Sequence, residues 1–433
     1  MFYLNELGLV CALGDTHAAI RDNLFSGRSG LVMSDRYSSS GALPVGAVRG
    51  VLAEMDPDKF PLAHRSRNNQ LLLTALTQIR PAVDAAIARY GSHRIAIVLG
   101  TSTSGIAESE AAFKAAYRAG NKAANTAGNT AGNTATLKDS PVSGQELDAI
   151  NRASSAGNRI TFPPEFTYSQ QEMGSAAVML AWALGVTGPA YVHSSACASS
   201  AKAMASAARL IQMGLADVVI TGGVDSLCAF TIAGFGALAS VSNTPCNPFS
   251  ANRNGINIGE GAALFLMSAQ PGTVALRGWG ESSDGHHISA PDPSGDGARS
   301  AIGQALRRAG IGATQIDYIN LHGTATPQND AMESLVVNQL FGADMPAGST
   351  KGYTGHTLGA AGAIEAALCW LAMQDDNPAG RLPVHLWDGV VDNDLPALNL
   401  VPAGYRLGRP LRWALSNSFA FGGANAALVM GRE

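Results

Sequence analysis

The 433-residue chain has little charge: Asp, Glu, Lys and Arg make up 14% of it, and 29 basic against 33 acidic side chains give 29 − 33 = −4 with histidine neutral. It lacks the basic excess with which chains neutralise nucleic-acid phosphates or anionic lipid, so neither is expected as a partner. Cysteine is also scarce. Cys11, Cys197, Cys228, Cys246 and Cys369 form an odd, widely spaced set of five with no C-x-x-C pair, which argues against a disulfide framework or a zinc knuckle. No uninterrupted apolar run reaches the ~18 residues of a bilayer span. The opening MFYLNELGLVCALGD has no basic stretch and carries Glu6, unlike a secretory signal. These absences predict a cytoplasmic chain with no membrane span, in which a lone cysteine needs a chemical or a packing explanation.

What is present is apolar and small. Hydrophobic residues make up 46% of the chain and glycine numbers 49, enough for a large core with many tight turns. Short β-branched runs alternate with Ala-rich helical stretches, the rhythm of α/β architecture. Residues 119–136, AGNKAANTAGNTAGNTAT, break it with a small-residue tract that has little to bury and reads as a surface excursion. Two echoes suggest internal duplication. RIAIVLGTSTSGIAESE and IDYINLHGTATPQNDAMES align Gly100 with Gly323, an offset of 323 − 100 = 223. MGSAAVMLAWAL and LGAAGAIEAALCWLA align Gly174 with Gly359, an offset of 359 − 174 = 185, which leaves 223 − 185 = 38 residues inserted in the first half. The reading is one duplicated body, with an N-terminal half over 1–268 that carries a cap insertion at about 105–165, and a C-terminal half over 269–433.

The most informative window is residues 189–223, PAYVHSSACASSAKAMASAARLIQMGLADVVITGG. Tyr191 and Val192 read as a strand, Ala198 to Met213 as a helix stopped by Gly214, and Asp217 to Thr221 as the next strand, which makes a βαβ unit. Cys197 falls in the turn at the helix N-terminus, where free N–H groups and the dipole favour a thiolate. Its neighbours Ser194, Ser195, Ala196, Ala198 and Ser199 are small enough to admit a substrate, as at a nucleophile elbow. The plainer reading, a buried cysteine that only packs, stands beside this one.

A thiol nucleophile needs groups that move protons and hold developing charge. His322 ends the strand IDYINLHG ahead of Thr324 and Thr326, and His356 lies in STKGYTGHTLGAAG five residues after Lys351. Both sit where a strand gives way to a loop or helix, the end of an α/β sheet at which ligand sites gather. In SNSFAFGGANAALVMG, Phe421-Gly422-Gly423 makes a turn that can bring backbone N–H groups close to a ligand. His286-His287 has no third metal ligand at a recognisable spacing.

Taken together, Cys197 in SSACASSA, His322 in NLHGTATPQND, Lys351 and His356 in STKGYTGHTLGAAGAIEA, and the tail SNSFAFGGAN resemble the β-ketoacyl-acyl carrier protein synthases of the thiolase superfamily. LGLVCALGD…LFSGRSGL and PCNPFSANRNGINIGEGAALFLM carry the likeness through the rest of the chain. The resemblance implies a thiolase-like duplicated αβαβα five-layered fold and an acyltransferase. Its reaction would be decarboxylative Claisen condensation of malonyl-carrier with an acyl group held on Cys197, in fatty acid, polyene or polyketide synthesis. It further implies that His322 and His356 polarise the malonyl thioester, that Lys351 paired with Glu365 supports them, and that the amides of Cys197 and Phe421 form an oxyanion hole. Phe421, with Gly422 and Gly423, would form the gate; Thr324 and Thr326 would hold the pantetheine amides; Asn320, Glu365, Ser416 and Asn425 would cage a structural monovalent cation. No resident organic cofactor is implied, because phosphopantetheine arrives on the acyl carrier protein. Arg65 and Arg67 could help dock that acidic partner.

The chain departs from the family pattern in three places. Ala420 stands where glycine is usual, which is expected to stiffen the gate; Ser250 and Asn254 replace two aspartates; and the Asn/Ala/Gly/Thr tract enlarges the cap. These departures suit a specialised pathway such as aryl polyene synthesis, with the chain acting as a homodimer or beside a chain-length factor. The rival readings are a non-catalytic partner subunit, opposed by Cys197 and both histidines, and a coenzyme A thiolase, opposed by the lack of any cysteine after Cys369.

Overall fold

The computed structural model describes residues 1–38, 41–127 and 162–433. Within each half the same five-strand pattern is laid down. The first half supplies β1 (Phe2–Cys11), the hairpin β2 (Val32–Ser34) and β3 (Leu43–Val45), then β4 (Ile95–Gly100), β5 (Ala190–His193), β6 (Val218–Asp225) and β7 (Gly261–Ser268). The second supplies β8 (Val274–Ser283), β9 (Tyr318–Asn320), β10 (Pro346–Gly348), the short β11 (Asn399–Leu400), β12 (Trp413–Phe419) and β13 (Ala424–Arg432). Leaving aside β2, β3 and β11, both halves order their strands third-second-fourth-fifth-first: β5-β4-β6-β7-β1 and β10-β9-β12-β13-β8. The directions match as well. The second strand is parallel to the third and fourth, and the fifth is antiparallel to the fourth and first. The halves meet where β1 pairs with β8 over only Phe2↔Leu276 and Tyr3↔Ala275.

The helices are α1 (His17–Ser26), α2 (Arg67–Tyr90), α3 (Ile106–Ala127), α4 (Ser175–Leu184), α5 (Ser199–Gln212), α6 (Ala229–Ala237), α7 (Asp296–Ala309), α8 (Pro327–Phe341), the single turn α9 (Lys351–Thr354) and α10 (Ala361–Ala372). Strand alternation sorts them into layers. Ile95, Ile97 and Leu99 face outward onto α2 and α4, while Ala96 and Val98 face inward onto α5 and α10. The same inner core takes Tyr318, Ala414 and Leu428 from the second half, whose opposite face packs Ile319, Leu415 and Val429 on α7 and α8. The result is five layers, αβαβα, with α5 and α10 in the middle. An added Cβ on Gly362 would lie 2.9 Å from Ala201 Cβ, so glycine sets how closely these two helices approach.

The first sequence echo joins equivalent places, the ends of β4 and β9. The second does not. Gly174 heads α4, which lies between the second and third strands and has α8 as its counterpart; α10 lies between the third and fourth and has α5. With Ser199 matched to Ala361 the offset is 361 − 199 = 162, so the first half carries 223 − 162 = 61 extra residues, not 38. Ala-rich helices look alike because both are buried, whichever layer they occupy. The extra stretch includes α3; half of the small-residue tract, residues 128–136, lies outside the described residues. Among the described residues, α2 is the one helix long and apolar enough to cross a bilayer, and it buries Leu71, Leu72, Ala75, Leu76, Ile79 and Val83 against the first sheet.

Candidate active site

Cys197 sits at the tip of the β5–α5 turn. Ala196 before it has φ 48°, a left-handed conformation that costs a non-glycine residue about 1–3 kcal/mol and persists only when neighbours over-determine it. Here they do. Ala198 N donates to Ser195 O at 3.2 Å, Ser199 N to Ala196 O at 3.1 Å, and Ser195 N to Ser199 Oγ at 2.8 Å. Those bonds occupy the first amides of the helix turn, and Cys197 itself is buried. Burial pushes the thiol up to about 11, against the lowering effect of Lys351 and of the Phe421 amide. The expectation of a resting thiolate is therefore corrected: desolvation outweighs the Lys351 charge and the Phe421 amide, and the sulfur keeps its proton until a base takes it.

An imidazole able to take it lies within hydrogen-bonding distance. His356 Nε2 lies 2.9 Å from Cys197 Sγ, and the ligating atoms of Cys197, His322 and His356 all fall within 4.8 Å of one another. The two imidazoles meet edge to face, 5.4 Å between centroids. Burial, seconded by the nearby Lys351 charge, holds both histidines well below their ordinary value, so both are neutral near pH 7. Lys351 is itself buried: Nζ lies 3.3 Å from His322 Nδ1, donates to the His322 carbonyl and pairs with Glu365. An ammonium facing Nδ1 requires a lone pair there, which places the His322 proton on Nε2. Burial raises Glu365, and Lys351 opposes the rise.

Three carboxylates missing from the sequence reading hold the loops that carry these groups. Glu333 on α8 accepts from His322 N at 2.8 Å and Gly323 N at 2.7 Å, and Asp330 accepts from Ala325 N at 3.2 Å and Phe249 N at 2.8 Å. Burial pushes Glu333 up to about 7 and Asp330 up to about 6, against those same hydrogen bonds. Asp225, at the end of β6, accepts from Thr101, Ser102 and Thr103 and from Ala360 N at 3.1 Å, tying the first half to the start of α10. Acidic residues opening a helix in TATPQNDAMES were the available signal; Asp225, 124 residues from Thr101, left none.

Cys197, His322 and His356 open on a pocket lined also by Phe235, Ile256, Pro291, Thr324, Thr326, Asn329, Phe419, Ala420 and Phe421. Thr324 and Thr326 join hydroxyl to hydroxyl at 2.8 Å. The Phe421 ring leans on Phe235 at 5.6 Å, across the pocket. Gly422 and Gly423 take φ 84° and 78°, while Ala420 keeps a negative φ, a backbone conformation open to non-glycine residues. Arg253 pairs with Asp392, and Ser250 Oγ donates to Asp388 at 2.7 Å, so the altered charge network is rebuilt from the 388–392 loop.

Two groups expected at sites lie elsewhere. Asn425 pairs with Phe419 on the outer face of the second sheet, where Nδ2 donates to Asp284 at 2.6 Å, whereas Ser416 faces the central layer. Its side chain cannot share a cage with that of Ser416. Asn320 Oδ1, Ser416 Oγ and Glu365 Oε2 are buried and unpartnered among the described residues, and Asn320 neighbours Ser416 across β9 and β12. Arg67 is bidentate on the fully buried Glu260, 2.8 Å from Nε, so it is not a free surface cation, whereas Arg65 is part-exposed with only its Nε shut off from water.

Comparison with known proteins agrees with this geometry. Residues 7–271 match the family described as beta-ketoacyl synthase, N-terminal domain, and residues 274–384 its C-terminal domain. The mitochondrial 3-oxoacyl-acyl-carrier-protein synthase of Arabidopsis thaliana is 37% identical over 266 residues, and the match spans 57% of each chain. A chain in the complex of a ketosynthase with its chain length factor from Xenorhabdus doucetiae superposes with TM-score 0.82 at 41% identity, covering 100% of this chain and 98% of that one. A beta-ketoacyl synthase from Burkholderia phymatum STM815 follows at TM-score 0.77 and 25% identity, covering 100% and 99%.

Proposed function

The chain belongs to the β-ketoacyl synthase family, and on that basis we propose that it is a ketosynthase acting on carrier-bound thioesters. The observation that carries this reading is the 2.9 Å approach of Cys197 Sγ to His356 Nε2, with His322 beside them. Sγ attacks the acyl thioester carbonyl as its proton passes to His356 Nε2. The amides of Cys197 and Phe421 hold the oxyanion; preorganised donors of this kind are commonly worth about 3–4 kcal/mol. Collapse expels the carrier thiolate, which takes the proton, and leaves an acyl-Cys197. Malonyl-carrier then enters. His322 Nε2–H, with His356 in its Nε2–H tautomer, holds the thioester oxygen while CO₂ departs, and the enolate carbon attacks the acyl-Cys197 carbonyl, extending the chain by two carbons and expelling a Cys197 thiolate that takes a proton from solvent.

Thr324 and Thr326 hold the pantetheine arm, and Lys351 with Glu365 keeps the His322 proton on Nε2. Phosphopantetheine arrives with the carrier, so no resident organic cofactor enters the scheme. A monovalent cation, if bound, would be held by Asn320, Glu365 and Ser416, whose oxygens suit a hard ion. Likeness to a chain solved with a chain length factor supports a heterodimer with such a subunit over a homodimer. Five free, buried cysteines suit a reducing cytoplasm.

The test is acylation of Cys197 followed by mass, and CO₂ release from malonyl-carrier, with a panel of acyl primers, alone and with a partner subunit. Wild type should acylate and elongate while Cys197→Ala does neither. A wild type that neither becomes acylated nor releases CO₂ under any of these conditions overturns the reading.

A further inference from the structure

Asn329, in the first turn of α8, lines the pocket beside Thr324 and Thr326 although it is only 4% exposed. Its Nδ2 donates to Asp330 Oδ1 at 3.1 Å, while Oδ1 is buried with no partner among the described residues. The carboxamide cannot be turned over, because that would set its oxygen against the Asp330 carboxylate, which is already held by Phe249 N and Ala325 N. A buried carbonyl oxygen closed off from water and lacking a donor is unfavourable in the free protein. It calls for an N–H or O–H from whatever fills the pocket.

The neighbouring hydroxyls are differently committed. Thr324 and Thr326 spend one of their two hydrogens on each other at 2.8 Å, and Thr324 Oγ1 also accepts from Thr326 N at 3.4 Å. The pair therefore keeps one donor hydrogen for a ligand, and Asn329 keeps one acceptor. One donor and one acceptor on the same wall complement an amide, which offers a carbonyl and an N–H together. Neither an acyl hydrocarbon nor a thioester has an N–H; the pantetheine arm has two.

We infer that Asn329 Oδ1 accepts a hydrogen bond from an amide N–H of the pantetheine arm, completing with Thr324 and Thr326 a site that reads one amide. The inference rests on the ketosynthase reading above. It makes Asn329 a binding residue that tells an amide from its ester isostere, which keeps the carbonyl and loses the N–H.

The experiment compares Cys197 acylation from an acyl-pantetheine thioester with acylation from two analogues, each carrying an ester in place of one arm amide. Wild type should favour the amide by about 5- to 50-fold in kcat/KM at one of the two positions, the range expected when a buried acceptor is left unpaired. Asn329→Ala should lose that preference, slowing with the amide donor and matching it with the ester. Asn329→Leu, which fills the same volume without an acceptor, should lose the preference too and serves if the alanine variant fails to fold. Equal preference in wild type and in either variant overturns the inference, as does the absence of any preference in wild type. A wild type that acylates from none of the donors overturns the ketosynthase reading beneath it, whereas acylation without discrimination overturns this inference alone.

Discussion

The loops that follow β4 and β9 occupy the same place in the two halves and read alike, Gly100-Thr101-Ser102-Thr103 against Gly323-Thr324-Ala325-Thr326, yet they do different work. Each is fastened by a buried carboxylate. In the first half Asp225 takes the hydroxyls of Thr101, Ser102 and Thr103, at 2.8, 2.9 and 2.7 Å, as well as the amides of Ser102 and Thr103, both at 2.8 Å. In the second, Glu333 and Asp330 take backbone amides at His322, Gly323 and Ala325 and leave the threonine hydroxyls facing the pocket. The difference lies in which groups the anchoring acid consumes. A loop whose hydroxyls are consumed along with its amides is scaffold; the same loop held by its amides alone has side chains to offer a ligand.

The largest way to break the comparison is in the active loop. His322→Ala should slow malonyl decarboxylation by about 10²–10⁴-fold with little change in thermal stability, measured by CO₂ release and calorimetry. In the scaffold loop the loss should fall on stability instead. Asp225→Ala orphans several buried donors at once and should cost about 3–5 kcal/mol in denaturant unfolding. A stable Asp225→Ala protein would mean that the two loops are not fastened in comparable ways.

A smaller effect is expected from Glu333→Gln, which keeps one acceptor oxygen. It should lower the decarboxylation rate by about 10-fold, as expected for slight misplacement of His322. Its effect on stability should depend on pH with a definite sign. Glu333 binds its proton more tightly folded, at about 7, than at its ordinary 4.5, so wild type loses stability as pH rises through that window. The variant lacks this loss, so its stability relative to wild type should improve between about pH 5 and 8. Unfolding curves at both pH values test it; a difference that does not change with pH would show that Glu333 does not carry the window. The smallest effect is the sharpest. Thr101→Val and Thr324→Val remove equivalent hydroxyls; the first should cost about 1 kcal/mol of stability, and the second should instead raise KM for the carrier thioester a few-fold.

The sequence displayed the groups that do chemistry more readily than those that hold them. Cys197, His322, His356 and Lys351 stand in Gly- and small-residue contexts at the ends of strands, and the fold brings them together. Cys197 and His356 are 159 residues apart, and no periodicity joins them; the family likeness did. Asn425 was misplaced because its position in the motif says nothing about strand parity, which turns its side chain to the opposite face from Ser416. Arg67 reads as a surface charge in the sequence because Glu260, the carboxylate beneath it, lies 193 residues on. The raised thiol had no sequence signal, since the turn suggested the helix end but not the depth of burial.

The nucleophile and its base stand on different halves, Cys197 ahead of α5 and His356 ahead of α10, and the packing of Gly362 on Ala201 sets the spacing of those helices. The gap between sulfur and imidazole is thus a measure of how well the two halves are docked. A chain whose halves had each folded but not yet closed would carry a thiol without a base. Activity would then appear at the last step of assembly, and a substitution that wedges the central layer apart could silence the protein without touching any group that meets substrate.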